Sequence, residues 1–158
     1  MRILVIAVGE RGPKWVTESY KTYADRLRKP WIIELKEIST ERRGNNSNIG
    51  KIINSEGSRI LAAVPNDYHI VALDQRGVQF TTEKLSDFFL QWNENSQNVV
   101  FLVGGPDGLS AEVLDRADNV WALSQFTMAS SVARLVIFEQ IYRAFSMLRG
   151  LPYHRGSG

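Results

Sequence analysis

Strand-like runs alternating with segments of helical periodicity predict an α/β domain with a mostly parallel sheet flanked by helices. Two observations carry this. Residues 2–8 (RILVIAV), 69–73 (HIVAL) and 98–103 (NVVFLV) are nearly continuous in apolar residues, as strands covered on both faces are. The stretches between them place their apolar residues three and four apart, the spacing of one helical face.

Residues 2–8 form the first strand. Pro13 suits the first turn of a helix over 14–27, with Trp15, Tyr20, Tyr23 and Leu27 facing inward. Residues 31–38 (WIIELKEI) alternate more and predict an edge strand. Residues 39–47 (STERRGNNS) are polar and carry Gly44-Asn45-Asn46, which reads as a mobile loop. A helix over 48–63 sets Ile49, Ile52, Ile53, Ile60 and Leu61 on one side. The strand over 69–73 follows, with His69 in a structural role. A helix over 82–93 presents Leu85, Phe88, Phe89 and Trp92. After the strand over 98–103, Ser110 caps a short helix ending at Ala117. A strand over 120–124 precedes the last helix, 131–149, with Ser130-Ser131 as its cap and Gly150 as its end. Leu135, Phe138, Tyr142, Phe145 and Leu148 form one stripe of that helix. Val132, Val136 and Ile137 make a second side apolar, which predicts a subunit interface in addition to a core.

The 158 residues predict a single domain, 1–158. The absence of cysteine excludes disulfides, cysteine-based zinc sites and a cysteine nucleophile. Two separated histidines offer no spacing for a metal site. The N-terminal apolar run is too short to span a membrane and lacks a cleavage signal, so a cytoplasmic protein is expected. Net charge is only +2, yet its distribution is uneven. Residues 1–60 hold 12 Lys/Arg against 7 Asp/Glu, residues 61–126 hold 3 against 9, and residues 127–158 hold 4 against 1. If the two basic ends fold onto one side, a polyanion can dock there.

Four segments stand out chemically. VVFLVGGPDGL (99–109) ends a buried strand in paired glycines. It reads either as a ligand site beyond a strand's carboxyl end or as a tight turn needing positive φ. LDQRG (73–77) ends another strand and reads either as a second wall of the same pocket or as a plain strand-exit turn. LSQFTM (123–128) is apolar for a surface loop and reads either as a sheath for an adenine or as a loop packed on the core. The end of the chain gathers Tyr153, His154 and Arg155 behind a helix carrying Glu139 and Arg143, and His154 is the proton-transfer candidate.

Taken in order, VIAVGE-G-P-W, SEG-RIL, LD-x-x-G, FLVGGPDGLS, WALS-x-x-T and EQIYRA…PYHR resemble the RlmH family of ribosomal RNA methyltransferases, within the SPOUT superfamily, over nearly the whole chain. The resemblance implies a trefoil-knotted α/β fold and a homodimer in which one subunit's tail completes its partner's site. It implies S-adenosylmethionine as methyl donor, no metal, and a pocket formed by Leu73, Gly104 and the segment Leu123, Ser124, Gln125, Phe126, Thr127 and Met128. It implies N3 of a pseudouridine of 23S rRNA in the assembled 70S ribosome as acceptor. His154, Arg143 and Tyr153 are then the catalytic set, with His154 taking the proton, Arg143 countering charge, and Tyr153 touching the base and ordering the tail. Arg155, Lys14, Arg42 and Arg43 are expected at phosphates. The family's Pro-His pair is replaced by Ala129-Ser130, which motivates an alternative: a weakened or non-enzymatic ribosome-binding protein on the same fold. Residues 156–158 read as a non-native tail.

Overall fold

The computed structural model describes residues 1–10, 12–27 and 29–155, with His154 by its backbone alone. The chain runs β1 (Arg2–Val8), α1 (Lys14–Arg26), β2 (Ile32–Ile38), α2 (Ile49–Ala63), β3 (Tyr68–Val78), α3 (Thr82–Glu94), β4 (Asn98–Val103), α4 (Ala111–Arg116), β5 (Asn119–Trp121) and α5 (Ser130–Leu148), then a 3₁₀ turn at Pro152–Arg155. The sheet order is β2-β1-β4-β3-β5 and every pair is parallel. β2 is an edge, as its alternating pattern predicts.

A parallel sheet must be covered on both faces, and two apolar clusters do so. Ile3, Val5, Phe101 and Val71 meet α1, α3 and α5 through Val16, Phe89, Trp92, Phe138 and Ile141. Leu4, Ile6, Val100 and Leu102 meet α2 and α4 through Ile60 and Val113. Side chains alternating along β4 therefore feed both cores. Each fully buried Phe contributes about 1.5–3 kcal/mol from burial.

Several expectations need correction. In α1 the inward stripe is Val16, Tyr20, Tyr23 and Leu27, spaced four, three and four apart. Trp15 lies one position, about 100°, off that stripe and is 43% exposed. Ile49 opens α2 before the helix reaches the sheet and is exposed. β3 continues past Leu73 to Val78, and its pairing with β5 shifts so that both Leu73 and Val78 face Trp121. The polar DQRG sequence hides this continuation. β5 correspondingly ends at Trp121, which releases Leu123 and Ser124 into a loop. α5 starts without a side-chain cap. Ala129 occupies the cap position, and the Ser130 hydroxyl donates to Val8 O at 3.4 Å instead.

Segment 39–47 is tied down rather than mobile in character. Arg43 Nη1 and Nη2 donate to the Glu56 carboxylate (2.8 and 3.2 Å), and Arg43 Nε donates to Asp107 Oδ2 (2.8 Å). Arg134, buried in α5, donates to Val8 O (2.7 Å), Gly9 O (2.9 Å) and Glu37 Oε1 (2.8 Å). This pins the start of α5 to the carboxyl ends of β1 and β2.

At its other end α5 closes as predicted at Gly150. Gly150 has φ +64°, its N–H donates to Met147 O (3.1 Å), and Leu151 N–H donates to Ser146 O (2.8 Å). This is a Schellman motif, whose left-handed residue favours glycine, and it turns the tail back onto the helix. Among the described residues, no helix is long and apolar enough to cross a membrane.

Candidate active site

Three segments leave the sheet at its carboxyl edge and converge. Leu73 of β3 pairs with Val103 of β4, and Gly104 follows at once. The loop after β5 closes over both. They enclose a cavity of about 440 Å³ walled by 73–76, 103–109, Leu123, Ser124, Phe126, Thr127 and Met128, with Ser130 and Ala133 of α5. Ligands in open α/β sheets bind at such strand ends.

Gly104 is required by close approach. A Cβ there would lie 2.6 Å from the backbone carbon of Gly108. The positive φ of the turn falls on Gly108 (+84°), whose N–H donates to Gly105 O at 3.1 Å. The tight-turn reading of this motif therefore holds, with the positive φ on Gly108 and the close backbone approach at Gly104. Ser110 caps α4 behind the turn by accepting from Val113 N–H (3.2 Å).

The loop after β5 is ordered by its own polar atoms. Ser124 Oγ accepts from Phe126 N–H (3.0 Å), and Thr127 Oγ1 donates to Gln75 Oε1 (2.6 Å), bridging two walls. Phe126 stands 84% exposed at the rim. Gln125 is exposed and lies outside the wall.

The two carboxylates of the wall are each neutralised by an arginine. Arg76 grips Asp74 through Nε (2.8 Å) and Nη2 (2.9 Å), and this hydrogen-bonded guanidinium holds the Asp74 carboxyl below its ordinary range against the opposing effect of burial. Arg43 engages Asp107 as described. The rest of the wall is backbone and largely apolar side chain. Among the described residues no three His, Asp or Glu side chains converge as a metal site.

The C-terminal set forms a second centre. Glu139 Oε1 accepts from Arg143 Nη2 (2.6 Å) and Nε (2.9 Å) and from the Tyr153 hydroxyl (3.1 Å). The Arg143 guanidinium lies 4.9 Å from the Tyr153 ring centre, covering one face, and Arg143 Nη1 donates to Tyr153 O at 3.4 Å. Burial, then the neighbouring Tyr23 and Glu139, push the Tyr153 phenol far above its ordinary value, so it stays a donor. The His154 side chain lies outside the described residues, as do residues 156–158. Within one chain Arg143 does not line the cavity. It sits 13 residues along α5 from Ser130, about 20 Å at the helical rise.

A family model described as predicted SPOUT methyltransferase matches residues 1–154. This chain belongs to the SPOUT methyltransferase family. Relatives extend the match end to end. The chain is 46% identical to a ribosomal RNA large subunit methyltransferase H of Thioalkalivibrio sulfidiphilus, over 98% of this chain and 99% of the relative. Proteins of the same name from a Marinomonas species (44%, over 98% and 100%) and Nitrosococcus oceani (43%, over 99% and 100%) follow. As a SPOUT methyltransferase the protein transfers methyl groups. Sequence reasoning offered LDQRG as a wall of this pocket, which Leu73, Asp74, Gln75 and Arg76 line, and missed the Asp107–Arg43 pair. It also missed the Arg43–Glu56 pair. One signal for it was present: Glu56 shares the spacing of Ile52 and Ile60, four residues either way, and a carboxylate on a buried face demands a cation.

Proposed function

We propose that this protein is a 23S rRNA methyltransferase that moves the methyl group of S-adenosylmethionine to N3 of a pseudouridine within the assembled 70S ribosome, acting in the cytoplasm as a homodimer without a metal. The observation that carries the reading is the separation of the two centres. One chain has a donor-sized pocket at one end of α5 and a Tyr-His-Arg tail at the other, about 20 Å away. A second copy, packed through the apolar second side of α5, supplies its tail to that pocket. The names of the relatives support ribosomal RNA as acceptor. The proposal includes the trefoil-knotted path of the SPOUT superfamily through the pocket segments.

In this reading Gly104 lets the turn close on Gly108 and so shapes the wall against which the donor lies. Leu73 and the loop from Leu123 to Met128, with Ser124 and Thr127 ordering it, hold the donor, and Phe126 covers it. Gln125 contributes backbone only. The transfer is a single in-line displacement. The N3–H proton passes to the His154 imidazole, the N3 electron pair forms the new bond to the methyl carbon, and the carbon–sulfur pair returns to a now neutral sulfur. Arg143, aimed by Glu139, counters the negative charge that spreads over the flanking carbonyl oxygens. Tyr153 anchors the tail through Glu139. Its ring face is occupied by Arg143, so ordering is a better role for it than stacking on the base. Of the cations expected at phosphates, Arg43 is committed to Glu56 and Asp107, whereas Arg42 and Arg155 are exposed. The deciding experiment incubates 70S ribosomes lacking the modification with protein and methyl donor, followed by mass spectrometry of nuclease-digested rRNA. A mass gain of one methyl on a pseudouridine is expected. Absence of any gain on ribosomes at saturating donor would sink the proposal.

A further inference from the structure

The C-terminal ends of α1 and α5 lie side by side and frame a second cleft, of about 670 Å³. Arg26, Lys29 and Arg149 stand on its rim, and Tyr142 and Phe145 contribute its aromatic floor. In the sequence these cations belong to the two separate basic ends of the chain, and the packing of α1 on α5 brings them together.

The cations are held apart and outward. The Arg26 guanidinium lies 5.8 Å from the centre of the Tyr142 ring and that of Arg149 lies 5.6 Å from the Phe145 ring. Arg149 Nη2 donates to the Lys29 carbonyl (3.3 Å). Among the described residues none of the three makes an ion pair, although Asp25 lines the same wall. The basic residues of the pocket region behave differently, since Arg43, Arg76 and Arg134 all carry carboxylates. Three unneutralised positive charges on one rim raise each other's energy and call for an external anion. Arg26 and Arg149 cover the rings, so the rings seat the cations, and a rim of seated cations suits the phosphates of a nucleic-acid strand.

The location adds to this. The Tyr142 ring meets the Tyr153 ring edge-on at 4.7 Å, so the cleft adjoins the tail that carries the catalytic set. The geometry points to this cleft as the docking groove for the RNA strand flanking the target nucleotide, with Arg26, Lys29 and Arg149 on successive phosphates. The assignment of RNA as the partner rests on the proposed function. A second copy of the chain is the competing occupant, and the test below separates the two.

The test combines Arg26→Gln, Lys29→Gln and Arg149→Gln, which removes the charges and keeps the aromatic floor. Binding is measured by anisotropy with a labelled single-stranded RNA oligonucleotide and by co-sedimentation with 70S ribosomes, each across about 50–200 mM salt. The expected result is weaker binding to both and a salt slope reduced by about 2, since each lost phosphate contact removes about 0.7. Donor affinity, read by calorimetry, stays at the parent value. An unchanged slope and affinity on both probes would overturn the inference. So would a variant that changes oligomeric state in light scattering while binding RNA normally, which assigns the cleft to a contact between copies. If the parent transfers no methyl to rRNA yet loses RNA binding through these substitutions, the proposed function fails and the groove stands.

Discussion

Glu56 occupies a position that its neighbours Ile52 and Ile60 mark as core, and it is 1% exposed. Its carboxylate survives there because Arg43 forks onto it and Glu41 N–H donates to Oε1 at 3.0 Å. The same guanidinium reaches Asp107, so a buried charge beneath α2 steadies the turn that walls the cavity. Arg43→Ala leaves the carboxylate buried and uncompensated. Such losses cost about 3–5 kcal/mol, and because Arg43 is partly exposed we expect about 2–3 kcal/mol by urea unfolding. A change below about 0.5 kcal/mol, the range of ordinary surface substitutions, would mean that the pair is ornamental. Asp74 gives a pH prediction. Its folded pKa lies below the unfolded value, so the stabilisation is fully present above the ordinary carboxylate range and is lost as pH falls through the depressed folded value. Arg76→Ala removes the main cause of the depression and leaves burial, so the Asp74 carboxyl should titrate higher in a carbon-detected NMR titration. Titration at the parent value would show that Arg76 does not hold it.

At the scale of the element, α5 decides most of the site. Arg134 pins its first turns and a Schellman motif finishes it, yet its cap position is an alanine. Ala129 has φ −58°, already near the −65° or so that proline imposes, and its N–H donates no backbone hydrogen bond. The loop thus keeps a proline-compatible conformation where the resemblance leads one to expect Pro. Ala129→Pro should stabilise by about 0.4–1 kcal/mol by restricting the unfolded chain, seen as a rise in Tm of about 1–4 °C. A fall in Tm would show that Met128, which a following proline restricts, cannot accept the change.

For the molecule as a whole, the distance along α5 separates donor pocket from tail, and the proposed mechanism requires the two to come from different subunits. Subunit mixing tests this. A His154→Ala chain keeps its pocket and loses its base. A Gly104→Ala chain keeps its tail and places a Cβ against the Gly108 backbone. Each alone should lose transfer, by about 100-fold or more for His154→Ala. Mixed and re-equilibrated, they should regain transfer to ribosomes, because a heterodimer contains one intact pocket facing one intact tail. No recovery in demonstrated heterodimers would place pocket and tail in the same chain.

The strands, their parallel arrangement and the β2 edge were legible because burial on two faces leaves uninterrupted apolar runs. The Gly104 turn and the loop from Leu123 to Met128 were legible because glycine pairs and apolar loop residues are costly without a reason. Much of what escaped depends on which side chains meet across long sequence separations. The polar DQRG stretch concealed the second half of β3, and Trp15 looked inward until Val16 took the core face. Segment 39–47 read as mobile because its anchors, Glu56 and Asp107, lie 13 and 64 residues from Arg43.

Period and composition alone determined most of the strands and helices and which strand exits and loops wall the cavity, because those signals are local and follow from burial. Tertiary structure decided the rest: that Asp74 and Asp107 enter the pocket already paired, that Glu139 gathers Arg143 and Tyr153, and that cations from both chain ends share one cleft. Partnerships such as Arg43–Asp107 and Glu139–Tyr153 join residues 64 and 14 apart along the chain, and a one-dimensional pattern carries no record of them.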